Sequence, residues 1–121
     1  MIKVTKSGSC GNSPKAALVE DLAIALETRD TDALCSVIDE ATEWITTTRE
    51  IVKGKEITDY LGKLKKPSAL QIDAVVTHGK FGSVSGTSHF GGTEHGFNHT
   101  FEFTKTTFRT FKRVHSYASG S

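Results

Sequence analysis

From Leu70 onward the chain alternates apolar and polar residues with period two, which commits this part of it to strands with one apolar and one polar face. Residues 70–77, 81–90, 96–104 and 107–117 read as four antiparallel strands, divided by His78-Gly79-Lys80, by Gly91-Gly92 and by Lys105-Thr106. Residues two apart share a face, so Leu70, Ile72, Ala74 and Val76 begin a buried row. A three-residue turn at 78–80 pairs Val76 with Gly82 and Ala74 with Val84, and carries the row into Gly82, Val84, Gly86 and Ser88. A two-residue turn at Gly91-Gly92 then sets Val84 opposite His99 and Gly86 opposite Phe97. The row ends in Phe97, His99, Phe101 and Phe103, with Asn98, Thr100, Glu102 and Thr104 on the polar side and His89 facing Glu94 across the hairpin.

Before Leu70 the period is helical. Ser13-Pro14 is a cap and first-turn pair, and Leu18, Leu22, Ala25 and Leu26 make the apolar stripe of a helix ending near Arg29. Asp30 or Thr31 caps a second, shorter helix carrying Leu34, Val37 and Ile38. Thr42–Thr48 and Glu50-Ile51-Val52 read as short strands, and Gly54 opens a third helix with Ile57, Tyr60, Leu61 and Leu64 on one face, stopped by Pro67. Residues 1–12 show no stripe and read as an irregular lead-in to a single domain over 13–121. The element order is therefore ααββαββββ, an α+β domain with three helices on one face of a curved antiparallel sheet.

Composition removes whole classes of function. With 15 Lys+Arg against 14 Asp+Glu, signs interspersed, the net charge of +1 offers no sustained field to a nucleic-acid backbone. Apolar runs are too short for a membrane span and no secretion-signal pattern opens the chain, so the expected address is the cytoplasm. Cys10 and Cys35 are too few for a disulfide framework or a metal knuckle, and both read as structural.

His99 stands out as the one ionisable side chain on the inner row of these strands. Burying it without a partner costs about 1–3 kcal/mol, so a group must meet the imidazole: Tyr60, Trp44, a water or a ligand. Two readings stay open, a core histidine satisfied by a neighbouring hydroxyl or carbonyl, and one lining a functional cavity. Gly82 and Gly86 leave volume in the sheet or mark a close approach. A metal site is not expected: on a strand His95 and His99 lie about 13 Å apart, whereas zinc ligands stand about 2.0–2.1 Å from the ion. No cofactor is called for, because the glycine-bearing strings GKFGSVSG and GGTEHG do not join a strand to a helix.

The strings CGNSPK (Cys10 to Lys15) and DLAIAL are followed by Trp44 with GKE (Gly54 to Glu56) ten residues on, and by HGK at 78–80 with Gly86. FxxxFEF ending at Phe103 and Ser116-Tyr117 complete the set. In this order, over nearly the whole chain, the sequence resembles the nuclear-transport-factor-2-like superfamily, and within it the bacterial SnoaL-like or ketosteroid-isomerase-like small proteins. The resemblance implies a cone-shaped α+β barrel around a pocket closed by helices, a homodimer formed through the sheet, and no single activity. Enzymes of this superfamily place an Asp, or an Asp/His set with tyrosines, in the pocket. Here the inner row offers no carboxylate, since Glu102 and Asp73 belong to the other face.

The sequence thus leads to a small-molecule-binding domain in which His99 acts as general base or hydrogen-bond donor. Trp44, Tyr60, Val84, Gly86, Phe97 and Phe101 enclose an apolar ligand, with isomerase or lyase chemistry as the enzymatic form of that reading. The alternative is a non-catalytic homodimeric interaction or carrier module with a vestigial pocket. If the packed Phe side chains leave no cavity of about 300 Å³, the enzyme and carrier readings fall together.

Overall fold

In a computed structural model describing residues 2–8, 13–104 and 110–120, the chain runs β1 (Lys3–Thr5), α1 (Pro14–Thr28), α2 (Thr31–Cys35), β2 (Glu43–Ile45) and β3 (Ile51–Lys53). It continues as α3 (Glu56–Gly62), β4 (Ala69–His78), β5 (Phe81–Phe90), β6 (Thr93–Phe103) and β7 (Phe111–Gly120). All seven strands join one curved sheet in the order β1-β4-β5-β6-β7-β2-β3. The helices cover its inner face, where α1 packs on β4 and β5. This is the expected α+β architecture with one correction: β1 and β3 are edges, so the sheet is an open cone rather than a closed barrel.

Local signals set the helix ends. The Ser13 hydroxyl accepts from the Ala16 amide at 3.2 Å at the start of α1, and Asp30 does the same for Ala33 in α2. At the other end of α1 Arg29 takes the left-handed conformation, φ 61°, and its amide caps the carbonyls of Ala25 and Leu26. The buried stripe of α1 is wider than expected and turned from Leu18 toward Val19, Leu22, Ala23 and Leu26, with Glu20 and Glu27 also buried.

Three expectations fail for physical reasons. Residues 1–12 are not wholly irregular, because Lys3–Thr5 pairs parallel with Ala69–Gln71. An edge strand with all three side chains exposed is held by backbone hydrogen bonds and leaves no alternation to read. The β4–β5 turn has two residues, Gly79-Lys80, with Gly79 at φ 59°, and an irregularity between Ile72 and Ala74 absorbs the resulting shift. Val75, not Ala74, therefore faces Val84, and Ala74 and Val76 turn outward, Val76 being 62% exposed. Finally, Cys35 is exposed rather than structural, and Cys10 lies outside the described residues.

The β5–β6 register is as expected: Val84 faces His99, Gly86 faces Phe97 and His89 faces Glu94, with His89 Nδ1 3.3 Å from the Glu94 carboxylate. Gly82 and Gly86 serve close approach and leave no hollow. A Cβ at Gly82 would lie 2.6 Å from Val19 of α1, and one at Gly86 would lie 2.1 Å from the Gln71 carbonyl oxygen. Further along the inner row, Phe101, Phe103 and Phe111 pack ring against ring, with Phe101 and Phe111 edge-on at 5.3 Å. The outer face carries the exposed Val76, Phe81 and Tyr117.

Gly86→Ala should lower stability by about 2 kcal/mol, because the clash is with backbone that cannot turn away. Gly92→Ala, with no atom within 4 Å, should stay within about 0.5 kcal/mol of wild type. Urea denaturation checks both, and equal stabilities would contradict the close approach.

Candidate functional site

Along α1 the row Val19, Ala23, Glu27 repeats every four residues and turns Glu27 toward the sheet. Its carboxylate meets the imidazole of His99, the central inner residue of β6, with Nε2 2.6 Å from Oε2. The other carboxylate oxygen accepts from the Ser88 hydroxyl of β5 at 2.7 Å. On the far side of the ring, Nδ1 lies 2.7 Å from the Ser116 hydroxyl of β7, and that hydroxyl accepts from the Trp44 indole N–H of β2 at 2.8 Å. Glu27 is 8% exposed and His99 2%, and Ser116 is fully buried.

Donor counting orients the whole chain. An indole nitrogen can only donate and an ionised carboxylate can only accept, so both ends are fixed. With Trp44 donating to Ser116, the Ser116 hydroxyl donates to Nδ1 of His99, and Nε2–H of His99 donates to Glu27. This assignment leaves no donor in the chain without an acceptor; a proton on Nδ1 would leave the Ser116 hydroxyl hydrogen without one. Burial works against a charged carboxylate at Glu27. The hydrogen bond and field of His99, the Ser88 hydroxyl and the charge of Arg29 outweigh that effect and hold the group below the ordinary glutamate range.

Beside this chain lies a cavity of about 210 Å³, lined by Glu27, Arg29, Trp44, Thr46, Thr47, Tyr60, Leu64, Phe90, His95, Gly96, Phe97, His99, Ser116 and Ala118. Three ring pairs stand in its wall. Trp44 and Tyr60 meet edge-on at 5.3 Å and 87°, Phe90 and His95 at 5.6 Å and 71°, and Phe97 lies 5.3 Å from His99. Arg29 donates from Nε to the Lys65 carbonyl and from Nη1 to the Leu26 carbonyl, which anchors its guanidinium at the end of α1.

His99, Trp44, Tyr60 and Phe97, expected together, are brought together. Val84, Gly86 and Phe101 are not in the wall: Val84 and Phe101 are fully buried core, and Gly86 sits against β4. Of the two roles expected of His99, general base or hydrogen-bond donor to a ligand, neither is open to it directly, since both ring nitrogens are engaged within the protein. The carboxylate missing from the inner row comes instead from α1. Its sequence signal is Glu27 in register with Val19 and Ala23, and Ser88 on the inner row is its partner. The volume is below the roughly 300 Å³ set above, which counts against the enzyme and carrier readings at this cavity and leaves room for compact molecules alone. A more open groove of about 360 Å³ runs past Cys35, Ile38, Asp39, Glu40, Gly54, Lys55 and Thr58, without a buried polar network. Among the described residues no group of three or more His, Cys, Asp or Glu side chains could hold a metal ion, and no helix is long and apolar enough to cross a membrane.

No protein-family model and no curated protein matches the sequence. Solved structures do match in shape. A protein of Shewanella putrefaciens CN-32, provisionally named a SnoaL-like polyketide cyclase, superposes with a TM-score of 0.73 at 15% identity, covering 91% of this chain and 83% of that one. A provisionally named ketosteroid isomerase from Kribbella flavida gives 0.69 at 17%, covering 88% and 78%. An LEH-like epoxide hydrolase of M. tuberculosis gives 0.66 at 13%, covering 86% and 81%. The chain has the nuclear-transport-factor-2-like fold, as the sequence resemblance implied.

The electrostatics predict a pH dependence. A carboxyl held below its unfolded value stabilises the fold fully above about pH 4.3 and loses that contribution as the pH falls further. Glu27→Gln should cost about 1–3 kcal/mol at pH 7 and flatten the acid loss below pH 4.3. Urea denaturation from pH 7 to pH 3 checks this; parallel wild-type and variant curves would contradict it.

Proposed function

We propose that the protein is a small-molecule-binding domain. Its ligand lays a compact body against Trp44, Tyr60 and Phe97 and turns a hydrogen-bond donor to the carboxylate of Glu27. The observation that carries this is the buried carboxylate at the edge of an aromatic-walled cavity, polarised by a chain of donors all directed toward it. A core that needed only packing would be served as well by apolar residues there, because buried ionic groups bring little net stability. Where the domain is catalytic, in the isomerase or lyase manner, Glu27 is the proton acceptor that faces substrate, and His99 is a positioning residue that holds and tunes it. The structural neighbours named for cyclase, isomerase and hydrolase chemistry share the fold, and that is the extent of their support.

The second reading, a homodimeric interaction module, draws on the apolar side chains Val76, Phe81 and Tyr117 exposed on the outer sheet face. One experiment separates the two. Trp44 is the sole tryptophan and lies in the cavity wall, so its fluorescence reports occupancy directly. Titration with a panel of compact hydroxyl, carbonyl and amine compounds should give a saturable change, abolished in Phe97→Ala. A flat response to every compound would leave the interaction reading standing and remove the binding one.

A further inference from the structure

The cavity wall joins two features that together select for charge. Four aromatic residues, Trp44, Tyr60, Phe90 and Phe97, line it, and the Trp44 and Tyr60 rings meet at a near right angle, the corner of a box. The second feature is Glu27, whose carboxylate receives two hydrogen bonds, from Ser88 and His99. Both of these donors are side chains of the sheet, and the carboxylate keeps further lone pairs beside the cavity. Arg29 also lines the cavity, with its Nε held by the Lys65 carbonyl beyond α3 and its Nη1 by the Leu26 carbonyl in the last turn of α1.

Aromatic faces attract cations through the ring quadrupole, and the attraction grows when the cation leaves water. An ionised carboxylate has lone pairs beyond the two already used, open to a cationic partner in the cavity. A neutral apolar molecule would meet the rings equally well and leave the carboxylate as it is. An anionic one would oppose it. The limited volume of about 210 Å³ favours a compact head group over an extended ring system.

We propose that the ligand of this cavity is a compact organic cation, a substituted ammonium group boxed by Trp44, Tyr60, Phe90 and Phe97 and paired with the Glu27 carboxylate. This rests on the binding-site reading above and adds the charge class of the ligand to it.

Choline and its neutral isostere 3,3-dimethylbutan-1-ol have the same shape and differ in charge, so calorimetric titration of the wild-type protein with each isolates the claim. Choline should bind at least about tenfold more tightly than the alcohol. Glu27→Gln, with its fold checked by circular dichroism, should remove most of that preference while keeping affinity for the alcohol. If the alcohol binds as tightly as choline or more so, or if folded Glu27→Gln keeps the full preference, the cation assignment is overturned while the binding site stands. If neither probe nor any member of the hydroxyl, carbonyl and amine panel binds, the binding reading falls with it. Should Glu27→Gln fail to fold, the wild-type comparison alone decides.

Discussion

The contact between Glu27 and His99 ties the helical layer to the sheet, and much of the structure is arranged so that it can exist. A carboxylate removed from water is tolerated only when its lone pairs are occupied by good donors. Here those donors come from two neighbouring strands, Ser88 on β5 and His99 on β6, and a third strand, β7, supplies the Ser116 hydroxyl behind the ring. Trp44 on β2 closes the series. Four strands and one helix must therefore hold their registers for a single buried charge to be satisfied. A one-residue slip in β6 would turn His99 to the outer face and strand the carboxylate.

The same arrangement shapes the cavity. Glycines at 82 and 86 let α1 and the irregular stretch of β4 press close to the sheet, which closes the middle of the cone with Val84 and the phenylalanine cluster. What remains open is the end beyond His99, where the rings of Trp44, Tyr60, Phe90 and Phe97 stand apart. The polar chain enters that space edge first. Its acceptor end, Glu27, belongs to the cavity wall, so the group that ties helix to sheet also borders the open space.

How much of this was legible in the sequence depended on how each element is stabilised. The β5–β6 hairpin was readable because Gly91-Gly92 allows a two-residue turn and the alternation on both sides agrees with it, and the inward facing of His99 follows. The pairing of β4 was not, because its turn and its irregularity near Asp73 each shift the register by one and largely conceal each other. Strand β1 carried no pattern, having only exposed side chains. Glu27 was missed for a different reason. A glutamate near the end of a helix reads as solvated, and only its spacing from Val19 and Ala23, together with a serine on the inner row of β5, marks it as an inward group. Trp44, Tyr60 and Phe97 were found because large aromatics near a buried imidazole are its natural neighbours. Val84, Gly86 and Phe101 shared its row but lay toward the filled end.

The central claim is the direction of the donor chain, and ¹⁵N NMR of the histidine rings tests it most directly. At neutral pH the His99 spectrum should show a proton on Nε2 and a hydrogen-bonded, unprotonated Nδ1. A proton on Nδ1, alone or on both nitrogens, would reverse the Ser116 contact and contradict the account.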